Sequence, residues 1–139
     1  MNVPRDFSSK NSEERTSDLA YLAGLIDGEG CISTHKVSAT STSIGLDLRV
    51  VNTYLPVLQW CQTRFGGRIH KKQLGAAHYK QGYAWCLSVG PLGKLLPQLL
   101  PFLQIKQKQA RLAIRFSQLG YGCQTERHAI RGMIARLNK

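Results

Sequence analysis

Hydrophobic and polar positions repeat with two different periods along this chain, and the switches between the periods predict its elements. Apolar residues recur at helical spacing from Leu19 to Ile26, and after Gly30 the period changes to two. The alternation runs through residues 31–37 and 44–51, on either side of a Ser/Thr-rich loop at 38–43. The first third of the chain is therefore predicted to be a helix followed by two paired strands.

The second part of the chain repeats this order. A helix is predicted over 54–65, with Thr53 as its cap, Pro56 in its first turn and Gly66 as its stop. Alternating segments at 68–73 and 83–89 then flank a polar loop at 74–82. Three apolar helical stretches complete the chain, at 92–99, at 101–119 after Pro101, and at 126–138 with Arg127 off the apolar face.

These elements predict an α+β domain in the order αββαββα with an extra C-terminal helix. Residues 1–16 are expected to be a flexible arm, and residues 17–139 a single domain. If the helices cover one face of a four-stranded antiparallel sheet, the other face is open, and its side chains are polar, basic or aromatic. The residues predicted there are Ser33, His35, Val37, Asp47, Arg49, His70, Lys72, Tyr83 and Trp85. They are candidates for reading DNA bases in the major groove, although a merely solvated face has the same pattern.

The first helix carries a second stripe, made only of small residues. Ala20, Gly24 and Gly28 follow one another at intervals of four, in addition to the apolar stripe that faces the core. Each interior glycine costs a helix roughly 0.5–1 kcal/mol relative to alanine. The gain that usually offsets this cost is close approach of another backbone, so the stripe predicts a helix partner.

The net charge of the chain indicates a binding function in addition to a fold. Lys and Arg number 19 and Asp and Glu 8, a net charge of +11. This excess indicates an anionic partner, and nucleic acid is favoured over an anionic membrane. A basic structural protein without a specific ligand remains a third, weaker alternative.

No apolar run reaches the ~18 residues of a membrane span, and the N-terminus does not have the pattern of a signal peptide. Cys31, Cys61, Cys86 and Cys123 lack metal-ligand spacing and are interpreted as reduced core thiols. An intracellular location (cytoplasmic, nucleoid or organellar, not secreted) is therefore expected, with no membrane partner.

The segment Leu22 to Gly30 resembles the signature of the LAGLIDADG homing endonucleases. Seven of its nine letters match, and the departures are Gly28 for Ala and Glu29 for Asp, which keeps the carboxylate. The junction 65–69 and the run 101–109 are similar to those of single-motif members, so the resemblance covers residues 18–119. Such a family has the αββαββα homing-endonuclease fold.

The resemblance implies a homodimer whose motif helices pair across a two-fold axis, with an interface of Ala20, Gly24, Leu25 and Gly28. It also implies Mg²⁺-dependent hydrolysis of a long, roughly palindromic double-stranded DNA target, leaving 3′ overhangs, by an intron-encoded enzyme. Glu29 would be the catalytic metal ligand, joined by the Gly28 carbonyl, and Asp27 would be structural.

Two further catalytic positions follow from the same resemblance. Lys106, in the K-x-K-Q run, would stabilise negative charge or hold water. Asn52 would position water, with Arg49 or Thr53 as alternatives if the alignment slips. The competing hypothesis is a nucleic-acid binder without cleavage on the same fold, either an intron RNA maturase or a DNA-binding module. The presence of Glu29 favours the nuclease.

Overall fold

The predicted α+β architecture is confirmed by the computed structural model, which describes residues 3–40, 42–73, 75–76, 80–120 and 122–139, and side chains from residue 11 onward. Positions 41, 74 and 77–79 of the two predicted loops lie outside the described residues. The elements are α1 (Val3–Glu29), β1 (Gly30–Lys36), β2 (Ile44–Asn52), α2 (Leu55–Phe65), β3 (Arg68–Lys72), β4 (Gly82–Ser88), α3 (Val89–Leu99), a 3₁₀ turn (Leu100–Phe102), α4 (Gln107–Gln118) and α5 (Gln124–Leu137).

The four strands form one antiparallel sheet in the order β1-β2-β4-β3. The two inner strands therefore come from different αββ units, and each unit contributes one edge strand. Leu48 of β2 lies between Ile32 of β1 and Leu87 of β4. Since side chains alternate between faces, this register places one apolar row of each strand toward the helices.

The helix-facing side of the sheet forms the core of the molecule. Its inner strands contribute the buried residues Leu46, Leu48, Val50, Trp85 and Leu87, and the helices contribute Leu22, Ile26, Leu58, Leu96 and Phe116. Each such side chain stabilises the fold by roughly 1.5–3 kcal/mol relative to an exposed one. Among the described residues, no helix is both long and apolar enough to cross a membrane.

Only one of the four cysteines fits the expectation of core thiols. Cys61 of α2 is fully buried, and burial raises the pKa of its thiol to about 12 because the charged form loses its water. Cys31 and Cys123 are exposed, and Cys86 is half-buried, because it lies on the open face of the sheet. The expectation of core thiols is wrong for these three.

Several helix boundaries differ from the sequence prediction. The first helix begins at Val3 rather than near residues 16–18, and the division into an arm and a domain stays a prediction. At α2 the N-cap position is Tyr54 rather than Thr53, and no side chain caps it. The last helix begins at Gln124.

The predicted helix at 101–119 begins later, at Gln107. Pro101 lies in the 3₁₀ turn, and Ile105 is 71% exposed instead of facing the core. The physical reason is that the backbone N–H groups of residues 104–106 bond to the side chain of Asp27, which holds this segment outside the helix.

Arg127, predicted to lie off the apolar face of the last helix, is instead buried. Its Nη2 donates to the carbonyl of Leu119 at 2.7 Å, and its guanidinium lies over the Phe116 ring at 4.9 Å. A cation can be buried here because a carbonyl and an aromatic face replace its water.

Candidate functional site

The C-terminal end of α1 is fixed by one carboxylate. Asp27 Oδ2 accepts a hydrogen bond from Gln104 N at 2.7 Å, and Oδ1 accepts from Ile105 N at 3.1 Å and from Lys106 N at 3.0 Å. Three consecutive backbone donors before α4 thus share one acceptor group. This arrangement anchors α1 to the start of α4 and leaves the Asp27 carboxylate little freedom for other ligands.

Lys106 lies at the same corner and faces the end of α1. Its Nζ donates to the Asp27 carbonyl at 2.8 Å, and the side chain is half-buried. A cation at a helix C-terminus is favourable because the last carbonyls carry partial negative charge. The Asp27 anchor therefore sets the backbone of Lys106 and the end of α1 in a fixed relation.

Glu29 is the last residue of α1 and is exposed. The chain turns into β1 at Gly30, where an added Cβ would lie 2.9 Å from both the Cα and the carbonyl oxygen of Ile26. Only glycine permits this turn directly after the helix. The structure thus brings Glu29, Asp27 and Lys106 to one corner; the catalytic roles of Glu29 and Lys106 stay predictions.

One chain alone does not form a metal site beside Glu29. The described residues contain no group of three or more His, Cys, Asp or Glu side chains that could hold a metal ion. One chain offers the exposed Glu29 carboxylate and the exposed end of α1 at Gly28, where helix carbonyls have no partner inside the helix. Oxygen donors of this kind suit Mg²⁺, which keeps several waters and uses one or two carboxylates.

Asn52 ends β2 on the helix-facing side of the sheet. Its Oδ1 accepts a hydrogen bond from Tyr54 N at 2.8 Å, forming a turn between β2 and α2. The residue also lines a cleft of about 690 Å³ beside α1, together with Tyr21, Leu25 and Trp60. Of the two alternatives, Arg49 lies on the opposite face and Thr53 is exposed. The structure gives Asn52 a local turn-forming role, and its catalytic role stays a prediction.

The open face of the sheet carries most of the side chains predicted for it. Register and alternation place Ser33, His35, Asp47, Arg49, His70 and Lys72 on this face. Asp47 accepts a hydrogen bond from Ser33 Oγ at 3.3 Å and lies 3.7 Å from Arg49 Nη2. The His35 ring covers Gly45, where a Cβ would approach its Nε2 to 2.6 Å. Val37, just past β1, is 63% exposed.

Two aromatic residues predicted on the open face lie on the other one. Trp85 pairs with Val50 and Ile69, is fully buried, and donates from Nε1 to the Gly66 carbonyl at 2.7 Å. Tyr83 shares its face, because the two residues are two positions apart on β4. The prediction is wrong for both residues because Tyr83 and Trp85 alternate in step with Leu87, which is buried in the core.

Other residues of the open face were missed by the sequence reasoning. Cys31, Arg68, Cys86 and Ser88 share this face by register. Arg68 is an exposed cation two residues before His70, so strict alternation from His70 and Lys72 could have found it.

The small-residue stripe of α1 is exposed in the single chain. Ala20, Gly24 and Gly28 are exposed, Leu25 is half-buried, and Tyr21 beside them is 57% exposed. A Cβ added at Gly24 or Gly28 would meet nothing within 4 Å. The fold of one chain therefore gives no steric reason for these two glycines.

Comparison with known proteins finds one similar curated protein. DNA endonuclease I-CvuI from Chlorella vulgaris is 30% identical over 105 residues, which covers 70% of this chain and 62% of the relative. The match thus spans less than two thirds of the relative's length. No protein-family model matches the chain.

Solved structures extend this likeness to the fold. I-CvuI bound to DNA in the presence of 2 mM Mg, with the DNA not cleaved, superposes with a TM-score of 0.74 and 25% identity, covering 86% of this chain and 81% of that one. An archaeal intron-encoded homing endonuclease, I-Vdi141I, complexed with DNA, has a TM-score of 0.72 at 16% identity, covering 88% of this chain and 84% of that one. The second likeness supports the fold alone.

Proposed function

We propose that the chain is a member of the LAGLIDADG homing endonuclease family and acts as a site-specific, homodimeric endonuclease of double-stranded DNA, which its similarity to I-CvuI supports. One observation carries the proposal above all. Asp27 and Lys106 hold the end of α1 rigidly, while Glu29 beside them remains exposed. A fixed helix end with a free carboxylate is suited to deliver that carboxylate to a phosphodiester.

Dimerisation would complete the site. The exposed stripe of Ala20, Gly24 and Gly28 ends next to Glu29 on α1. Two copies of this helix, packed along their small residues, would be self-complementary about a two-fold axis. Each copy would then contribute one Glu29 near the axis, so two carboxylates and two helix ends would form a site that one chain lacks.

The proposed metal is Mg²⁺, held by Glu29 and the Gly28 carbonyl of both copies. When bound, such an ion activates water and stabilises the leaving oxygen of a phosphodiester. The chain itself contributes three functions. Glu29 would hold the ion, Asp27 fixes the backbone of Lys106 relative to the end of α1, and the Lys106 ammonium would stabilise negative charge on the phosphate.

The open sheet face would bind the target. Arg49, Arg68, His70 and Lys72 provide cations and donors on its strands, and Ser33 and His35 provide further groups for base edges. Asp47 holds Arg49 and Ser33 in place, so its proposed part is positioning rather than direct contact with an anionic backbone. A symmetric dimer would present this face twice, which matches a long and roughly palindromic target.

The test replaces Glu29 with glutamine, which keeps the size of the side chain and removes its charge. The target is first recovered by selecting cleaved duplexes from a randomised library with Mg²⁺. The metal is expected to supply several kcal/mol of charge stabilisation, so losing its ligand should slow cleavage at least ~100-fold at about 1.4 kcal/mol per tenfold. DNA binding should persist.

Glu14→Gln is the matched control, since Glu14 is an exposed glutamate on the same helix and distant from its end. Full cleavage by Glu29→Gln would exclude the proposed site. Saturable binding without any cleavage by the unmodified chain would favour the alternative of a non-cleaving nucleic-acid binder on the same fold.

A further inference from the structure

A basic cleft lies between the last two helices, separate from the open face of the sheet. It has a volume of about 440 Å³, and α4 and α5 line it together. Its lining residues are Lys108, Arg111, Leu112, Met133, Arg136 and Leu137. We refer to these six residues as the α4–α5 cleft.

The spacing of the cleft residues shows that two helix faces meet there. Lys108, Arg111 and Leu112 are at i, i+3 and i+4 on α4, and Met133, Arg136 and Leu137 repeat this spacing on α5. An adjacent face of α5 braces the fold through the buried Ile130 and Ile134. The last helix therefore has a structural face and a second face directed outward.

The cations of this cleft are not compensated within the described part of the chain. Lys108, Arg111 and Arg136 are all exposed, and no ion pair forms there. Three acidic side chains form ion pairs with cations outside the cleft: Asp18 with Arg64, Asp47 with Arg49, and Glu126 with Arg115. Three adjacent positive charges without an acid attract a polyanion.

The cleft is also anchored next to the candidate site. Gln109 Nε2 donates to the Leu137 carbonyl at 3.5 Å, and Asn138 Nδ2 donates to the Ile32 carbonyl of β1 at 2.9 Å. These bonds connect the end of α5 to the first turn of α4, which follows Lys106. They also connect it to β1, the edge strand that follows Glu29. Both helices of the cleft therefore adjoin this edge strand.

We propose that the α4–α5 cleft is a second nucleic-acid site, which binds the phosphodiester backbone outside the sheet. Lys108, Arg111 and Arg136 contact phosphates, while Met133 and Leu137, 41% and 37% exposed, pack against sugars. Such contacts supply affinity and salt dependence without sequence information. Nucleic acid is preferred to an anionic membrane because only two large apolar side chains are exposed at the cleft, too few for insertion.

The experiment neutralises the three cations together as Lys108→Gln, Arg111→Gln and Arg136→Gln in the full chain. A matched control set of three neutralises Lys94, an exposed lysine of α3, and also Arg64 and Arg115, whose charges Asp18 and Glu126 already compensate. Binding is measured by fluorescence anisotropy as a function of salt on two probes, a 40-base-pair duplex and a single-stranded RNA of equal length. Thermal melting verifies that both variants remain folded.

The expected result is a salt slope that falls by about 2–3 in log–log units on at least one probe, at ~0.9 per duplex phosphate or ~0.7 per single-strand phosphate. A change on the duplex alone assigns the cleft to flanking DNA, and a change on the RNA assigns it to a separate strand. Equal slopes for the triple variant and its control on both probes would overturn the proposal. Anionic phosphatidylserine vesicles are measured in parallel as a third probe, and a loss of binding confined to them would also overturn the proposal. Cleavage dependent on Glu29 can hold or fail independently of either outcome.

Discussion

The two αββ units of this molecule follow the same plan but end their helices in opposite ways. In each unit a helix leads into an edge strand and then into an inner strand, so that β2 and β4 lie side by side at the centre. The end of α1 is open, with Glu29 exposed. The end of α2 is closed against the sheet.

The closed end depends on two glycines and a tryptophan. Gly66 and Gly67 have φ angles of +80° and +92°, and the Gly66 carbonyl accepts the indole N–H of Trp85 at 2.7 Å. A Cβ on Gly67 would approach the Cys86 carbonyl oxygen to 2.5 Å. Here the turn and the buried ring fit each other within the same unit, and Phe65, the last residue of α2, packs against the core.

The open end is held from outside its own unit. Asp27 takes its three hydrogen bonds from the segment before α4, and Lys106 binds the Asp27 carbonyl. Because the brace comes from a distant element, the end of α1 does not need to be covered by the sheet. The turn between helix and strand thus contributes to stability in the second unit, whereas in the first unit it leaves Glu29 exposed.

The largest effect is expected from Gly67→Ala. The substitution combines a left-handed backbone with a contact of 2.5 Å to Cys86 O, so unfolding free energy should fall by more than about 3 kcal/mol. Urea denaturation measures it. Gly66→Ala is the control, since its Cβ would meet nothing within 4 Å and it carries only backbone strain of about 1–3 kcal/mol. Equal losses would mean that packing against the sheet does not close this end.

Asp27→Asn tests the brace at the open end. Asparagine keeps one acceptor oxygen but directs an NH₂ group at one of the three backbone donors, so a loss of about 2 kcal/mol is expected. Cleavage should fall as well, because Lys106 loses its fixed position. Asp18→Asn is the control: it weakens only the Arg64 pair at 2.9 Å, in which both side chains are partly exposed, and should cost under about 1 kcal/mol. A stable Asp27→Asn variant with normal cleavage would contradict the brace.

The strands and the position of Glu29 could be predicted from the sequence, and the contacts that hold the end of α1 could not. Periodicity located every strand to within one or two residues, because each strand buries one face and exposes the other. The motif indicated this site, since Glu29 directly precedes Gly30, the glycine that the turn after the helix requires. These features are local, and local sequence encodes them directly.

The failures concern long-range contacts. Nothing near Pro101 indicates that Asp27 binds residues 104–106 and delays α4. Trp85 and Arg127 were misplaced for a related reason: each has a polar group that a distant carbonyl satisfies, at Gly66 and Leu119 respectively. A side chain of mixed character is exposed or buried according to its partner, and the partner is not a sequence neighbour.

Gly24→Leu tests whether the exposed small-residue stripe of α1 binds a second copy of the chain. Its Cβ would point into open space, so the fold of one chain should be retained and even gain about 0.5–1 kcal/mol from helix propensity. The dimer should dissociate, which analytical ultracentrifugation would show as a halved mass. Gly90→Leu, at an exposed glycine of α3 that also has nothing within 4 Å, is the control. An intact Gly24→Leu dimer would rule out the proposed stripe interface.

Alkylation of the cysteine thiols compares the two units without changing the sequence, and we expect it to have the smallest effect. Cys61 in α2 is buried, and its pKa is raised to about 12, whereas Cys31 directly after the open end of α1 is exposed. Because only the thiolate reacts, iodoacetamide at pH 8 should modify Cys31 and Cys123 and spare Cys61, as read by peptide mass spectrometry. Burial favours the neutral thiol, so Cys61 stabilises the fold fully below the ordinary thiol pKa, and this contribution declines as pH rises toward 12.

Denatured protein, in which all four cysteines should react alike, is the control for the alkylation. Early modification of Cys61 in the folded chain would mean that the second αββ unit opens as readily as the first. The ends of α1 and α2 would then differ in geometry but not in stability.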